Sequence, residues 1–358
     1  MSDQSDRTVL TISAKSHKYE VLIGTGVFSE LEVSRNSVIV ADSRFKELLE
    51  KSTASNCVFV DAVESNKNLA SVENIIIELQ KHGVRSNSIV VAVGGGVIQD
   101  LMTMVASVYM RGIPWVYVPT TLLGMIDSCI GGKSSINTPT VKNLIGNIYP
   151  PLRIYVDTNF LATLSETDFL CGLAEASKIC FCKGESEFRE FLVFAQNRSS
   201  KNVAKMIAHV LAAKKWFIEV DEFDKAERKY LNFGHTFGHA LEIGSNQKVP
   251  HGLAVASGIK AAILFESKIR DASEIESELF RYVAKLTNGI SEFFKLEAID
   301  WEKYSDAFKA DKKHSDDDYS LLLPNYGGGV RIEKFKKSDA LLSRVIEAQK
   351  LSLSVAPL

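Results

Sequence analysis

Two histidines four residues apart, His235 and His239 in Gly234-His235-Thr236-Phe237-Gly238-His239, fall on one face of a helix. Imidazoles placed this way bind divalent metals, and spacing alone predicts that both ligate. His251 follows His239 after a loop, while the other four of the chain's seven histidines lie far off in sequence. Glu175, in Gly172-Leu173-Ala174-Glu175-Ala176-Ser177-Lys178, offers a carboxylate. Two histidines and one carboxylate with an open position form a catalytic zinc set. A lone histidine is more often a satisfied structural one, but His251 so close to the pair favours the metal.

Other segments suit anions. Gly94-Gly95-Gly96-Val97-Ile98-Gln99-Asp100 follows an apolar run and opens a helical pattern. Glycines there let the backbone approach a pyrophosphate, whose charge sits against helix N-terminal amides. The run is not GxGxxG, and a bare triple glycine also serves as a plain strand-to-helix turn. Pro119-Thr120-Thr121 ends the next apolar run with hydroxyls, and Glu64-Ser65-Asn66-Lys67 ends an earlier one with groups suited to a ribose or adenine. Asp127-Ser128-Cys129-Ile130-Gly131-Gly132-Lys133 sets a carboxylate and an ammonium around a Gly-Gly turn, with Lys142-Asn143 shortly after. Such donors suit a phosphorylated or polyhydroxylated anion, although Gly-Gly-Lys is also common in surface turns.

The elements that must position these residues change character along the chain. Val9 to Ser13 and Tyr19 to Ile23 alternate like a hairpin, with Gly24 and Gly26 as breakers. Ser37 to Ala41, Val58 to Val60, Ser88 to Val93 and Trp115 to Val118 are apolar or β-branched runs, and Ser71 to His82 reads as a helix. Strands apolar on both faces and alternating with helices predict a buried, mostly parallel sheet. After about Asp157 helical periodicity dominates, as in Lys201 to Val220 and Leu253 to Ile269, so a domain boundary is expected near residues 160–168. The tail after Val330 is charged and reads as helical.

At 358 residues the chain has room for about two domains. Its 46% hydrophobic and 24% charged residues are a globular mix, and a net charge of −2 gives no clustered basic excess for nucleic acid or an anionic membrane. Met1 to Arg7 lacks the apolar core of a signal peptide, and Arg111 and Asp127 interrupt the most apolar stretch, Met102 to Ile130. Cys57, Cys129, Cys171, Cys180 and Cys182 form no CxxC pair and read as reduced core thiols of a cytoplasmic protein.

Taken in order, GGGVIQD, RGIPWVYVPTTLL, DSCIGGKSSIN, KNLIG, GLAEASK, DEFDKAER and NFGHTFGHALE resemble the sugar phosphate cyclases, most closely those acting on 3-deoxy-D-arabino-heptulosonate 7-phosphate. The resemblance runs from about Asp42 to Gly327. It implies an α/β plus α fold: a Rossmann-like NAD-binding domain over residues 1–165, then a mainly helical metal- and substrate-binding domain over 166–358. It also revises the ligand set to Glu175, His235 and His251, leaving His239 as a substrate or proton-handling residue.

By the same resemblance Asp127, Lys133, Asn143, Lys178, Lys214, Arg228 and Asn232 fall on substrate positions, with Lys312 or, in another register, Lys313. Arg111 matches a phosphate-binding arginine that in relatives reaches across a dimer interface, which implies a homodimer. Asp42, Glu64, Lys67, Gly95, Gly96, Asp100, Thr120, Thr121, Lys142 and Thr163 match NAD positions. The implied cofactors are NAD and Zn2+ or Co2+, and the implied substrate is a phosphorylated sugar acid. The implied chemistry oxidises a ring hydroxyl transiently, eliminates phosphate, returns the hydride and closes a carbocycle by an intramolecular aldol step. Gln99, Leu253, Cys180-Phe181-Cys182 and the Asn147-to-Pro151 run depart from the family pattern. Competing readings are a cyclase for another sugar phosphate such as sedoheptulose 7-phosphate, a metal- and NAD-dependent polyol dehydrogenase, and an inactive binding protein.

Overall fold

The computed structural model describes residues 7–31, 37–52, 56–288 and 290–354; the first six residues of the polar start lie outside them. In chain order come β1 (Thr8–Ser13), β2 (Lys18–Gly24), β3 (Val38–Asp42), α1 (Lys46–Ser52), β4 (Asn56–Val60), α2 (Leu69–Lys81), β5 (Val90–Gly94), α3 (Gly96–Val108), β6 (Trp115–Pro119) and β7 (Arg153–Asp157). Then follow α4 (Glu166–Lys183), α5 (Glu185–Ala195), α6 (Ser200–Val220), α7 (His235–Gly244), α8 (His251–Ser267), α9 (Glu274–Asn288), α10 (Trp301–Lys309), β8 (Asp318–Pro324), β9 (Val330–Lys336) and α11 (Asp339–Ser354). The chain divides into two compact units, Met1–Leu164 with Asn197–Phe223, and Ser165–Gln196 with Asp224–Leu358. Among the described residues no helix is long and apolar enough to cross a membrane.

The first unit holds a seven-stranded sheet ordered β1-β2-β7-β6-β5-β3-β4. β1 pairs antiparallel with β2, and every other pairing is parallel. β3, β5 and β6 are buried along their whole length, which is why their sequences are continuously apolar rather than alternating. The chain leaves β3 for β4 on one side, then crosses back to β5 on the other. That reversal is the topological switch point of an open α/β sheet, where ligands bind beyond the carboxyl ends of the strands. Asp42 ends β3 there, and the triple glycine ends β5.

A single cut at residue 165 does not describe the contacts. α6, expected with the helical part, packs instead on β1, β2 and a one-turn π-helix, Gly124–Ser128. Its buried stripe, Val203, Met206, Ile207, Val210, Leu211 and Phe217, sets which face is covered but not what covers it.

The second unit is built around α8, buried without a break from Gly252 to Ile263 and flanked by α4, α7, α9 and α11. A helix apolar all round belongs in the middle of a bundle. The tail after Val330 is not helical throughout: β9 pairs antiparallel with β8 across the turn Asn325-Tyr326-Gly327-Gly328-Gly329, and α11 follows. Cys129, Cys171, Cys180 and Cys182 are buried free thiols, whereas Cys57 is half-buried on β4. Burial pushes the Cys129, Cys171 and Cys182 thiols up to about 12.

Candidate metal centre and cofactor edge

Helix packing brings the second unit's imidazoles together. Gly234 and Gly238 each precede a histidine by one residue, so the small face of α7 lies against α8 and the adjacent face carries His235 and His239. A Cβ on Gly258 of α8 would meet the Gly234 carbonyl oxygen at 2.0 Å and the Gly238 nitrogen at 2.8 Å. On the same helix a Cβ at Gly252 would meet the Cys171 backbone of α4 at 2.4–2.7 Å. α8 therefore starts hard against the helix that carries Glu175, and His251 is its first residue.

The ring nitrogens of His235, His239 and His251 lie within 4.8 Å of one another. Glu175 Oε1 stands 3.7 Å from His235 Nε2 and 3.5 Å from His251 Nε2. At metal–ligand distances of about 2.1 Å, tetrahedral ligand atoms sit about 3.4 Å apart, so these three fit one ion. The carboxylate is 1% exposed, and among the described residues neither of its oxygens accepts a well-directed hydrogen bond. Lys178 Nζ, also buried, lies 2.5 Å from Oε2. An anion this buried and this poorly hydrogen-bonded fits a cation better than it fits a structural role.

The tautomers follow from the far side of each ring. His235 Nδ1 lies 3.2 Å from the Phe233 carbonyl and His251 Nδ1 lies 3.3 Å from Glu242 Oε2, so both donate there and leave their Nε2 lone pairs facing Glu175. Burial, then Lys178 and the neighbouring rings, holds the His235 pKa well below the ordinary range; burial, then His251, pushes His239 down to about 4. Burial also disfavours the His251 cation, but Glu242 and then Glu175 outweigh it and raise that pKa.

These directions predict an acid sensitivity. Below about pH 6.5 the unfolded chain protonates His235 and His239 while the folded chain resists, so stability falls with pH, in the case of His239 until about pH 4. His251 acts oppositely, its contribution being present at low pH and lost as pH rises through its raised folded pKa. With two rings against one, the melting midpoint of EDTA-treated protein is expected to drop between about pH 7.5 and about pH 5, and to drop less in His239→Asn. Equal drops in the two proteins would refute the assignment to His239.

In the first unit, Asp42, Gly95, Gly96, Thr120 and Thr121, expected to meet a dinucleotide, stand at the carboxyl ends of β3, β5 and β6. Gly95 caps α3, and a Cβ on Gly96 would meet nothing within 4 Å. The open side of Gly96 at the start of α3 leaves space for a phosphate against the amides of a helix N-terminus. Thr120 N donates to the Gly94 carbonyl, and the Thr121 hydroxyl accepts from Gly124 N. Buried Asp42 accepts from Arg44 N. Lys67 Nζ lies 3.1 Å from Asp100, 3.3 Å from Glu64 and 2.7 Å from Asn143 Oδ1. Burial, against the opposing charge of Lys67, raises the Asp100 pKa to about 6. Lys142 is exposed, and the Thr163 hydroxyl donates to the Phe160 carbonyl.

Gln99, the residue that departs from the family pattern, is buried and doubly bonded: its Nε2 donates to the Ser128 carbonyl and its Oε1 accepts from the Ser128 hydroxyl. Its neighbour Asp100 accepts from Ser135 N at 3.0 Å. Adjacent residues of α3 thus strap both arms of the segment that carries Asp127 and Lys133. Asp127 in turn pairs with buried Lys214, whose ammonium lies 2.5 Å from Oδ1 and also donates to the Asp127 and Ile130 carbonyls.

The remaining expected residues are placed less uniformly. Lys133 is exposed. Arg111 is exposed on a left-handed turn, with φ of 49° at Met110 and 66° at Arg111. In the second unit Arg228 is buried and Asn232 donates to the Lys229 carbonyl. Lys312 points to solvent, whereas Lys313 pairs with Asp311 at 2.5 Å, and the charges of both reach His239. Sequence reasoning passed over Glu242, although it stands three residues after His239 on the same helix face.

A switch-point α/β unit and a helical unit with a carboxylate–imidazole cluster mark the class: the fold is that of the sugar phosphate cyclases. It matches a crystal structure of 2-deoxy-scyllo-inosose synthase complexed with carbaglucose-6-phosphate, NAD+ and Co2+ with a TM-score of 0.81, at 22% identity over 96% of this chain and 99% of that one. The 3-dehydroquinate synthase N-terminal and C-terminal family models match residues 57–171 and 172–314. The 3-dehydroquinate synthase of Dictyoglomus turgidum is 34% identical over 93% of this chain and 96% of its own, and that of Streptococcus equi subsp. equi is 36% identical over 77% of each. The chain belongs to the 3-dehydroquinate synthase family.

Proposed function

We infer that this chain converts 3-deoxy-D-arabino-heptulosonate 7-phosphate to 3-dehydroquinate and phosphate, a phosphate-eliminating carbon–oxygen lyase reaction. The reading rests on the likeness to 3-dehydroquinate synthases over 93% of the chain, and its metal chemistry on the buried Glu175 carboxylate facing two imidazole Nε2 atoms at 3.5 and 3.7 Å. Glu175, His235 and His251 would hold a divalent zinc or cobalt ion. NAD would lie along Asp42, Glu64, Lys67, Gly95, Gly96, Asp100, Thr120, Thr121, Lys142 and Thr163. When bound, the metal supplies a Lewis acid for the reacting hydroxyl, and NAD supplies a hydride acceptor restored within the same turnover.

The protein's own groups bind, orient and move protons. His239, with a ring nitrogen within 4.8 Å of those of His235 and His251, is assigned to substrate or proton handling beside the cluster. Lys133, Asn143, Lys178, Lys214, Arg228 and Asn232 are assigned to the substrate carboxylate, hydroxyls and phosphate, where charge-assisted contacts orient the ring for elimination and closure. Asp127 is assigned to a substrate hydroxyl and positions Lys214. Of the two neighbouring lysines, the field of Lys313 at His239 supports Lys313 over Lys312. Arg111 is assigned to the phosphate in a homodimer, and the enzyme to the cytoplasm and the shikimate pathway. The NAD-binding half is assigned to the unit Met1–Leu164 with Asn197–Phe223, which includes α6 and Lys214, and the metal-binding half to Ser165–Gln196 with Asp224–Leu358.

The test is phosphate release from this substrate with NAD and zinc present, while NADH absorbance is followed. Phosphate without net NADH, and dehydroquinate as product, is expected. No release would move the reading to another sugar phosphate, and steady NADH formation would replace it with a dehydrogenase. Gly96→Ala gives an independent check on the cofactor edge. Its methyl meets no protein atom, so folding stability should hold or rise by about 0.5 kcal/mol. The NAD dissociation constant should rise about tenfold or more, because the methyl occupies the space of the pyrophosphate. Unchanged NAD affinity by fluorescence titration would remove Gly96 from that site.

A further inference from the structure

α7 carries more than two imidazoles toward the cluster. His235, His239 and Glu242 stand at i, i+4 and i+7 and share one face of the helix. Glu242 reaches past the pair to the far side of His251, with Oε2 3.3 Å from Nδ1. Its backbone is pinned as well, since its carbonyl accepts from the Ser245 hydroxyl at 2.9 Å and from Gln247 N at 2.7 Å. The connection to α8 is tight, with Asn246 and Gln247 both left-handed at φ of 53° and 63° and Pro250 as the cap before His251. The loop fixes the His251 backbone, and an acceptor on Nδ1 then favours one orientation of the ring.

We propose that Glu242 is a positioning residue of the metal centre, holding His251 in the Nδ1–H tautomer with Nε2 turned toward Glu175. The inference rests on the metal reading given above. His235 has the matching arrangement with a backbone acceptor, the Phe233 carbonyl at 3.2 Å, so each Nε2 that faces Glu175 belongs to a ring anchored through Nδ1. A carboxylate anchor also makes the ring a more basic ligand than a carbonyl does, and losing such an outer partner typically costs 10–100-fold in metal affinity, on the order of one to two decades.

The test uses the full chain, zinc competition with a chromophoric chelator, and the visible absorption of the Co2+-loaded protein. Glu242→Gln keeps an acceptor at the same reach without the charge; Glu242→Asp keeps the charge but withdraws it by one methylene; Glu242→Ala removes both. Geometry predicts zinc affinity in the order wild type, Gln, then Asp and Ala together about 10–100-fold weaker, with altered cobalt bands in the last two. Glu242→Asp binding zinc more tightly than Glu242→Gln would overturn the proposal in favour of a charge effect, and wild-type affinity in Glu242→Ala would overturn it outright. The Gln and Asp variants decide the matter even if Glu242→Ala fails to fold. Because these readouts use the metal alone, a chain that shows this order yet releases no phosphate from the heptulosonate would refute the substrate and not the role of Glu242.

Discussion

Glu175→Gln is expected to bind little zinc and to retain about a thousandth of the wild-type turnover or less, the equivalent of about 4 kcal/mol of lost Lewis-acid stabilisation. The amide keeps the shape of the side chain but removes the anion that faces His235 Nε2 and His251 Nε2. It has a second consequence that a purely catalytic residue would not have. Lys178 is 2% exposed and sits 2.5 Å from the Glu175 carboxylate. Neutralising Glu175 breaks a buried ion pair from one side, a change that costs about 3–5 kcal/mol. The metal-free variant should therefore melt well below metal-free wild type. Adding Lys178→Met should restore most of the melting loss, because the buried ammonium goes with its carboxylate, while zinc content and turnover stay absent. Measuring zinc by atomic absorption alongside thermal melts separates the two effects. A Glu175→Gln protein with full zinc and full rate would end the ligand assignment, and a double variant no more stable than the single one would end the buried-pair argument.

What could be read from the sequence tracks how local the signal is. The parallel strands β3, β5 and β6 are legible because burial on both faces demands continuous apolar runs, and the glycines after β5 are legible because a tight turn demands them. The face shared by His235 and His239 is equally local. Which rings share Glu175 Oε1 is not, because it depends on how closely α7 and α8 approach and on what lies behind each Nδ1. Spacing alone pairs His235 with His239, and the structure brings His251 within 4.8 Å of both, with Glu175 3.7 Å from His235 and 3.5 Å from His251. The periodicity of α6 marks its buried stripe, yet the packing partner is a tertiary fact, and this helix joins the sheet unit. β9 was hidden by charge: Arg331, Glu333, Lys334 and Lys336 read as a solvated helix until the Gly-rich turn folds the strand back on β8. The π-turn at Gly124–Ser128 has no propensity signal at all, and it is what aims Asp127 at Lys214.

Gly258→Ala should damage the metal centre without touching a ligand. The added methyl would lie 2.0 Å from the Gly234 carbonyl oxygen, 2.8 Å from the Gly238 nitrogen and 3.0 Å from the Gly234 carbonyl carbon. All three are backbone atoms, so no rotamer change relieves the clash and α7 must move off α8. Restoring ordinary contact distances of about 3.5 Å requires a displacement of about 1 Å or more. That motion carries His235 and His239 away from His251, which rides on α8, in a site whose ligand distances tolerate about 0.2 Å. Overpacking of this kind costs about 3 kcal/mol or more where backbone must shift. Misplacement by about 1 Å near the chemistry costs about 100-fold in rate. Zinc affinity should fall at least about tenfold in step with them. Denaturant unfolding of the metal-free protein and chelator competition measure the two quantities separately. The outcome contrasts with Gly96→Ala, where the methyl enters open space and only cofactor affinity suffers; the two glycine variants thus test whether each residue is small for the sake of a ligand or for the sake of a neighbouring helix. Wild-type stability and zinc binding in Gly258→Ala would mean that α7 and α8 do not rely on glycine contact to bring the histidines together.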